Sequence, residues 1–233
     1  MRVAINIDCL FRWHLVCIGF FAVADILVVA SFELGGFGRM MGLTRLFSLD
    51  AEQNPPALFS AGALLLTAAV CWLCGAQSEK KEAGFWKPMA IVFVYLAVDE
   101  AISLHELLIP PAKEFFNASG AFAFAWVIPY GIALIIFLAF ISAPLMRLPA
   151  VTRNGLVLAG ALFVTGAIGF EMVEAGVKYS NFLPWMTESL AFSLCVLCEE
   201  ILEMLGIALA LRTCLRHLTQ HSGGMEVTVA ITR

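Results

Sequence analysis

Long apolar segments separated by short polar connections make up most of this sequence. Crossing a bilayer takes roughly 20 mostly apolar helical residues, because the hydrocarbon core is about 30 Å thick and a helix rises ~1.5 Å per residue. The pattern predicts an all-α membrane helix bundle with six transmembrane helices. They are predicted at residues 13–32, 57–75, 88–109, 121–146, 155–177 and 186–211.

Composition supports a membrane location. Hydrophobic residues make up 61% of the chain, charged residues only 14%, and the mean hydropathy is +0.90. A water-soluble fold of this length cannot hide so much apolar surface, so the lipid bilayer is the expected surrounding. We expect one integral membrane domain over residues 1–233. The net charge is −4 and no basic patch is interleaved with aromatics, which excludes nucleic acid as a partner.

The distribution of Lys and Arg predicts the orientation, because positive charge is retained in the cytoplasm. With both ends inside, ten of the 14 basic residues are cytoplasmic. These are Arg2, Arg12, Lys80, Lys81, Lys87, Arg147, Arg153, Arg212, Arg216 and Arg233, against Arg39, Arg45, Lys113 and Lys178 outside. The first helix is predicted to be retained, and the tail from Thr213 to be a loose cytoplasmic end.

The first outer connection, residues 31–56, is the longest of the loops. Apolar Phe37, Met40, Met41, Leu46 and Phe47 alternate there with Arg39 and Arg45. Such mixing is typical of a helix that lies in the membrane interface. We therefore predict a short interfacial helix in this loop.

Ionisable residues are frequent inside the predicted helices, although each costs on the order of 2.5 to 3.5 kcal/mol at the bilayer centre. The third, fifth and sixth helices hold Asp99, Glu100, His105, Glu106, Glu171, Glu174, Glu199, Glu200 and Glu203, and Asp25 lies in the first. The outer loop adds Asp50, Glu52 and Asn54, which with Glu100 form the predicted outer mouth of a site.

Helical spacing places these side chains on common faces. On a wheel of about 100° per residue, Asp99 and Glu106 lie about 20° apart, with His105 to one side. The glutamates of the sixth helix fall within roughly one 100° arc, and Glu171 and Glu174 are an i, i+3 pair. Because acidic helix faces are unfavourable in contact with lipid, we expect them to line an acidic cavity that opens outward and reaches mid-membrane.

So many carboxylates cannot all stay ionised at short range, because like charges oppose one another. Either protons or a bound metal ion must neutralise them. Carboxylates with one imidazole suit iron, manganese or zinc, and glutamates from several helices build dimetal sites. The Glu-x-x-His pair usual in such sites is absent, and Glu-x-x-Glu takes its place. Single polar residues such as Asp25 and Asn54 also fit a role as hydrogen bonds between helices.

Two Cys-x-x-Cys pairs, Cys71 with Cys74 and Cys195 with Cys198, lie inside apolar helices. In a zinc ribbon this spacing would indicate a metal site. Inside membrane helices it is better explained by packing, because cysteine is small and readily buried.

Three strings carry a resemblance: residues 48–55 (SLDAEQNP), 98–106 (VDEAISLHE) and 199–206 (EEILEMLG). They resemble those of a group of uncharacterised bacterial polytopic membrane proteins. The resemblance implies an inner-membrane location and shared use of these residues, and it implies no activity, substrate or cofactor.

Three hypotheses for function follow. The first is a membrane metal-binding protein, extending to a metalloenzyme, whose ligands come from His105, Glu106, Glu171, Glu174, Asp99 and the glutamates of the sixth helix. The second is a proton- or cation-coupled transporter that uses the same carboxylates as a relay. The third is an assembly subunit of a larger membrane complex, and a homo-oligomer is compatible with each of the three.

Overall fold

The computed structural model describes residues 6–35, 42–78, 80–180, 182–183 and 185–221. Helices follow one another along this part of the chain. They are α1 (Ile7–Gly35), α2 (Leu43–Phe47), α3 (Pro55–Gln77), α4 (Lys80–Ile102), α5 (Ile109–Phe116), α6 (Val127–Leu145), α7 (Ala150–Val164), α8 (Glu171–Ser180) and α9 (Glu188–His221). Short 3₁₀ turns occupy Glu106–Leu108 and Gly120–Phe122, and a π-helical segment, Thr165–Phe170, joins α7 to α8.

The all-helical architecture predicted from the sequence is confirmed. Four stretches of the described chain are long and apolar enough to cross a membrane: Ile7–Ser31, Pro55–Gln77, Val127–Leu145 and Ala150–Ser180. The helices α4 and α9 have 23 and 34 residues, and each carries more charged side chains than any of these four stretches. These two helices supply most of the acidic groups considered below.

Helix α9 is the centre of the bundle, with α1, α3, α7, α8 and the π-helical segment packed around it. The main core lies where α9 meets α3 and α4. Trp86 is fully buried there, and Leu211, Cys71 and Cys214 are at most 2% exposed. This packing fixes the direction in which the acidic side chains of α9 point.

Several helix ends meet at one end of the bundle, which we call the basic end. Arg212 and Arg216 of α9 form ion pairs of 2.7 and 2.9 Å with Asp8, in the first turn of α1. Beside them, the Thr152 hydroxyl near the start of α7 lies 3.2 Å from Nδ1 of His217. The start of α1, the start of α7 and the end of α9 are therefore neighbours.

Two glycines allow α9 to approach the fifth apolar segment closely. A Cβ on Gly206 would lie 2.8 Å from the Ala159 carbonyl oxygen and from the Phe163 nitrogen. A Cβ on Gly166 would lie 2.7 Å from the carbonyl oxygen of Glu199. Any side chain at these positions would push the helices apart, so the glycines set their separation.

The third predicted helix is shorter than residues 88–109. Helix α4 begins earlier, at Lys80, and ends at Ile102, after which Ser103 has a left-handed backbone with φ of 52°. The Asp99 carboxylate accepts the backbone N–H of His105 at 2.8 Å, a donor that a continuing helix would use. His105 and Glu106 consequently lie in a turn, and Pro110 and Pro111 lie in the first turn of α5.

The last helix is longer than the predicted residues 186–211, because α9 runs to His221. The expected loose tail from Thr213 is therefore helical up to that residue. Cys214, His217 and Leu218 are buried, and the His217 ring packs on Trp86 at 4.6 Å between centroids. These contacts stabilise the added turns of the helix. The polar composition of the segment from Thr213 gave no indication of them.

The remaining predicted helices differ from the structure mainly at their ends. Helices α1 and α3 begin before residues 13 and 57, and α6 begins after residue 121. The fifth segment runs from residue 150 to residue 180 and includes the π-helical turns. The predicted residues Arg2, Phe37, Arg39, Met40, Met41 and Arg233 lie outside the described part of the chain.

A short helix, α2, lies in the first long loop, as the sequence predicted, and its position in the membrane interface stays a prediction. Asp25 of α1 anchors the loop that follows, because its Oδ1 accepts the Leu49 backbone N–H at 2.9 Å. Asn54 then caps α3: its Oδ1 accepts the Ala57 N–H at 3.0 Å and its Nδ2 donates to the Ser48 carbonyl oxygen at 2.7 Å. Both polar side chains therefore hold the loop in place.

The described cysteines are free thiols. Cys71 and Cys74 lie beside Cys214 and not beside the second Cys-x-x-Cys pair. Sγ of Cys71 lies 3.6 Å from Sγ of Cys214. Cys195 is buried and Cys198 is exposed. The buried thiols of Cys71, Cys74 and Cys195 are consistent with a packing role in the core, and the exposed Cys198 has no such role.

Candidate metal centre

Six ionisable side chains come together in two clusters. The glutamate cluster consists of Glu171, Glu174 and Glu199, and the histidine cluster consists of Glu52, His105 and Glu106. In each cluster, one potential ligand atom from every member lies within 4.8 Å of the others. All six residues were identified as site candidates from the sequence, although their division into two clusters was not.

The glutamate cluster is built where α8 meets α9. Glu171 and Glu174 lie in the first turn of α8, one helical turn apart on the same face. Glu199 comes from α9, whose backbone can approach because Gly166 has no side chain. Helix packing therefore aims three carboxylates from two helices at one point.

Glu174 is the most enclosed member of the glutamate cluster. The residue is only 4% exposed, and its Oε1 atom has no hydrogen-bond partner in the structure. Over the described residues, no Lys or Arg nitrogen lies within 4.0 Å of these three carboxylates. A buried acceptor without a donor is costly, and neighbouring like charges add to that cost. A proton or a cation must therefore accompany this cluster.

The histidine cluster lies on the turn between α4 and α5 and on the loop before α3. His105 is partly buried, while Glu52 and Glu106 are exposed. The Nδ1 atom of His105 lies 3.3 Å from Oδ2 of Asp99. When Nδ1 donates to that carboxylate, Nε2 is left as the nitrogen available to a metal.

Asp99 thus lies behind His105 rather than among the candidate ligands. It is 8% exposed, and its Oδ1 also accepts from the Tyr130 hydroxyl at 3.2 Å. A carboxylate that fixes the ring of a ligating histidine is a regular part of protein metal sites. Asp99 was predicted as a ligand; it lies outside both clusters and contacts His105 and Tyr130.

The two loop carboxylates near the clusters have perturbed acidities. Although the Glu52 side chain is exposed, neighbouring protein atoms displace part of the water around its carboxyl group and raise its pKa above the ordinary value, and the nearby His105 ring opposes that rise. Loss of water also raises the pKa of Asp50, with Lys178 opposing it. These groups hold protons more readily than free carboxylic acids do.

The other predicted acidic residues surround the clusters without joining either. Glu200 is close enough to interact electrostatically with Glu100 and Glu52, and more weakly with Glu174 and Asp25. Glu203 interacts in the same way with Glu200, Glu100, Glu171 and Asp99. Acidic side chains therefore continue from both clusters along α9 towards the basic end.

Trp126 connects the two clusters and was missed in the sequence. Its indole N–H donates to Oε1 of Glu171 at 2.8 Å, and its ring contacts the His105 ring at 4.7 Å between centroids. Tyr130 was also missed. An aromatic residue at the start of an apolar helix resembles an ordinary interfacial anchor, so the sequence carries no signal of this contact.

Fold and site together define a helical protein of membrane character with an acidic and histidine-containing cluster able to hold a metal ion. The chain belongs to the family described as "Domain of unknown function (DUF8692)", whose pattern matches residues 20–218. Comparisons with curated proteins and with solved structures gave no match.

Proposed function

We propose that the protein crosses the bacterial inner membrane six times, with both termini in the cytoplasm. The six spans are α1, α3, α4, α6, the continuous segment formed by α7 and α8, and α9. The ion pairs between Asp8 and both Arg212 and Arg216 support an even number of spans, because they bring the start of α1 to the end of α9. The positive charge of that end supports a cytoplasmic assignment.

We propose that the function of the protein rests on binding a divalent metal ion at the glutamate cluster. The observation that carries this proposal is the Oε1 atom of Glu174, which is buried without a donor beside Glu171 and Glu199. A metal ion supplies the missing partner and offsets the repulsion among the three carboxylates. A ligand set of carboxylates alone suits a hard cation such as manganese, and the imidazole of the neighbouring histidine cluster extends the choice there to iron, manganese or zinc.

The histidine cluster supplies a second metal position in this proposal. Its three ligands lie on exposed or partly exposed side chains, and Asp99 orients the histidine among them. Trp126 donates its N–H to Glu171 and packs its ring against His105, so the two ions would share this residue as a neighbour. A two-metal site open to the outer face is the arrangement from which a membrane metalloenzyme could work.

A second candidate function is a proton- or cation-coupled transporter. The continuation of acidic groups from the clusters to Glu200 and Glu203 favours it, since a relay needs sites at successive depths. A metal centre used for chemistry needs no such continuation. Both functions begin with cation binding at the same clusters.

The proposal is tested by counting metal in the purified protein. We expect bound iron, manganese or zinc in the wild type, and an affinity reduced about tenfold or more in Glu174→Gln and Glu199→Gln. Glu188→Gln is the matched control, because Glu188 is an exposed glutamate at the start of the same helix. Glu106→Gln should remove only the metal of the histidine cluster.

Chelation provides the second measurement. A metal bound by the folded state adds its binding free energy to stability, so a chelator should lower the melting temperature of the wild type by more than that of Glu174→Gln, which keeps only the metal of the histidine cluster. Absence of metal, with a melting temperature indifferent to chelator, would reject the metal proposal. Cation uptake by proteoliposomes that is lost in Glu203→Gln would then establish the transporter.

A further inference from the structure

Ser103 carries a buried hydroxyl group beside the histidine cluster. The residue comes directly after α4 and is 7% exposed. Its Oγ atom is one of four buried polar side-chain atoms in the described part of the chain that have no hydrogen-bond partner. Such a hydroxyl has lost its hydration without gaining a replacement, which is costly. A ligand that contacts this oxygen would remove that cost.

The backbone of Ser103 begins the turn that carries the histidine cluster. Its carbonyl oxygen accepts the Glu106 backbone N–H at 3.2 Å, and His105 lies between the two residues. The φ of Ser103 is 52°, in the left-handed region that glycine adopts without strain and a serine rarely adopts. What the serine adds at this position, in return for the strain, is its hydroxyl group.

The hydroxyl group of Ser103 faces the Glu52 side of the cluster. Neighbouring protein atoms raise the pKa of the Glu52 carboxyl group, and the Ser103 hydroxyl opposes that rise more strongly than the His105 ring does. The hydroxyl therefore lies beside the carboxyl group, although the two are not aligned as a hydrogen bond. Even if the hydroxyl donates its proton to that carboxylate, its oxygen keeps two lone pairs. Because the ligand atoms of the cluster lie within 4.8 Å of one another, the Ser103 oxygen borders the space between them.

We propose that the Ser103 hydroxyl oxygen is a fourth ligand of the histidine cluster, and that this cluster takes a hard divalent cation, Mn²⁺ in particular. The inference rests on the proposed metal binding at this cluster, and it adds a ligand and a choice among metals. Two carboxylates, one neutral hydroxyl and one imidazole form a set in which oxygen predominates. Oxygen ligands suit manganese, whereas thiolate ligands select softer ions such as zinc.

The binding of Mn²⁺ and of Zn²⁺ is measured by calorimetric titration of the full-length protein in detergent, after its own metal has been removed with a chelator. The binding step that is lost in Glu106→Gln identifies the histidine cluster. Ser103→Ala removes the oxygen, Ser103→Gly removes both the oxygen and the strain, and Ser103→Cys replaces the oxygen with sulphur. Ser142→Cys is the control for an added thiol, because Ser142 lies about 18 Å further along α6 than Tyr130, which contacts Asp99.

We expect Ser103→Ala and Ser103→Gly to bind Mn²⁺ at the histidine cluster about tenfold more weakly than the wild type, since residues that only orient a ligand already cause losses of that size. Ser103→Cys should lose Mn²⁺ affinity and gain Zn²⁺ affinity, which shifts the preference towards zinc by about tenfold or more. A residue that only supports the turn cannot exchange one metal for another. Ser142→Cys should bind both ions at this cluster as the wild type does.

Melting temperatures of the metal-free variants provide a second readout. Ser103→Gly should melt at a higher temperature than Ser103→Ala, because glycine adopts the left-handed backbone without strain. Unchanged Mn²⁺ affinity in Ser103→Ala and Ser103→Gly, or an unchanged preference between the two ions in Ser103→Cys, would overturn the role of Ser103 and leave metal binding by the cluster standing. If the wild type shows no Mn²⁺ binding that depends on Glu106, both proposals fail for this cluster.

Discussion

The indole N–H of Trp126 donates a 2.8 Å hydrogen bond to Oε1 of Glu171. The same indole ring lies against the His105 ring, so one side chain touches a member of each cluster. Trp126 is itself only 5% exposed, which leaves it little freedom to move independently. The orientation of Glu171 is therefore coupled to that of His105.

Replacing Trp126 with Phe should keep most of the ring contact and remove the donor to Glu171. We expect a loss of about 1 kcal/mol in the free energy of unfolding, the usual value of one hydrogen bond. Metal affinity at the glutamate cluster should fall about tenfold, as for other residues that orient ligands. Calorimetric titration with Mn²⁺ measures it, and Trp185→Phe, at a residue 76% exposed, is the control. Unchanged affinity in Trp126→Phe would show that Glu171 needs no orientation.

Gly166→Ala should separate the π-helical segment from α9. The added methyl would lie 2.7 Å from the Glu199 carbonyl oxygen and 2.9 Å from Cγ of Glu203, distances at which something must move. We expect a destabilisation of about 1 to 3 kcal/mol, measured by thermal unfolding in detergent.

Gly160→Ala is the matched control for that substitution. Gly160 lies on α7, and a Cβ there would meet nothing within 4 Å. This variant should be as stable as the wild type or slightly more stable, since alanine favours the helix. If the two variants unfold at the same temperature, close approach at Gly166 does not set the helix separation.

Asp25→Ala should release the loop that carries Asp50 and Glu52. The Leu49 backbone N–H would lose its acceptor in a buried position, at a cost of about 1 to 3 kcal/mol. We expect faster cleavage of this loop by a protease added on the side that the proposed topology places outside. Asp25→Asn retains a side-chain oxygen and should restore most of the protection. Equal cleavage in the wild type and Asp25→Ala would mean that the loop is held by other contacts.

Cys9 offers a direct test of orientation, because it is exposed in the first turn of α1, beside the basic end. In a variant that keeps Cys9 as its only cysteine, a membrane-impermeant maleimide should label inverted inner-membrane vesicles and leave intact spheroplasts unlabelled. Cys9→Ala in the same background gives the baseline. Labelling in intact spheroplasts would reverse the proposed orientation.

The helical class and the acidic residues could be predicted because both depend on local composition. Apolar segments of membrane length are visible without any contact, and a carboxylate within one stands out by its cost. The end of α4 could not be predicted, because it depends on the Asp99 side chain capturing the His105 N–H. The helical wheel therefore placed His105 and Glu106 on a helix that has already ended.

The grouping of the carboxylates into two clusters also could not be predicted from the sequence. Which glutamate of α9 meets Glu171 and Glu174 depends on how closely the helices approach, and Gly166 determines that approach. Glu199, Glu200 and Glu203 are equivalent candidates on the helical wheel, and the structure places Glu199 in the cluster. In the same way, burial of His217 against Trp86 extended α9 through residues that look polar and loose.

The length of α9 has a consequence for how the protein unfolds. Its 34 residues span about 51 Å, well beyond a hydrocarbon layer of about 30 Å even when the helix is tilted. In the proposed six-span arrangement, the last turns, with buried Cys214 and His217 packed near Trp86, form a small core in the aqueous and headgroup region. Water drives the burial of that core, whereas the turns inside lipid gain nothing from leaving water. Urea should loosen this end first, while the intramembrane turns that carry the glutamate cluster remain folded.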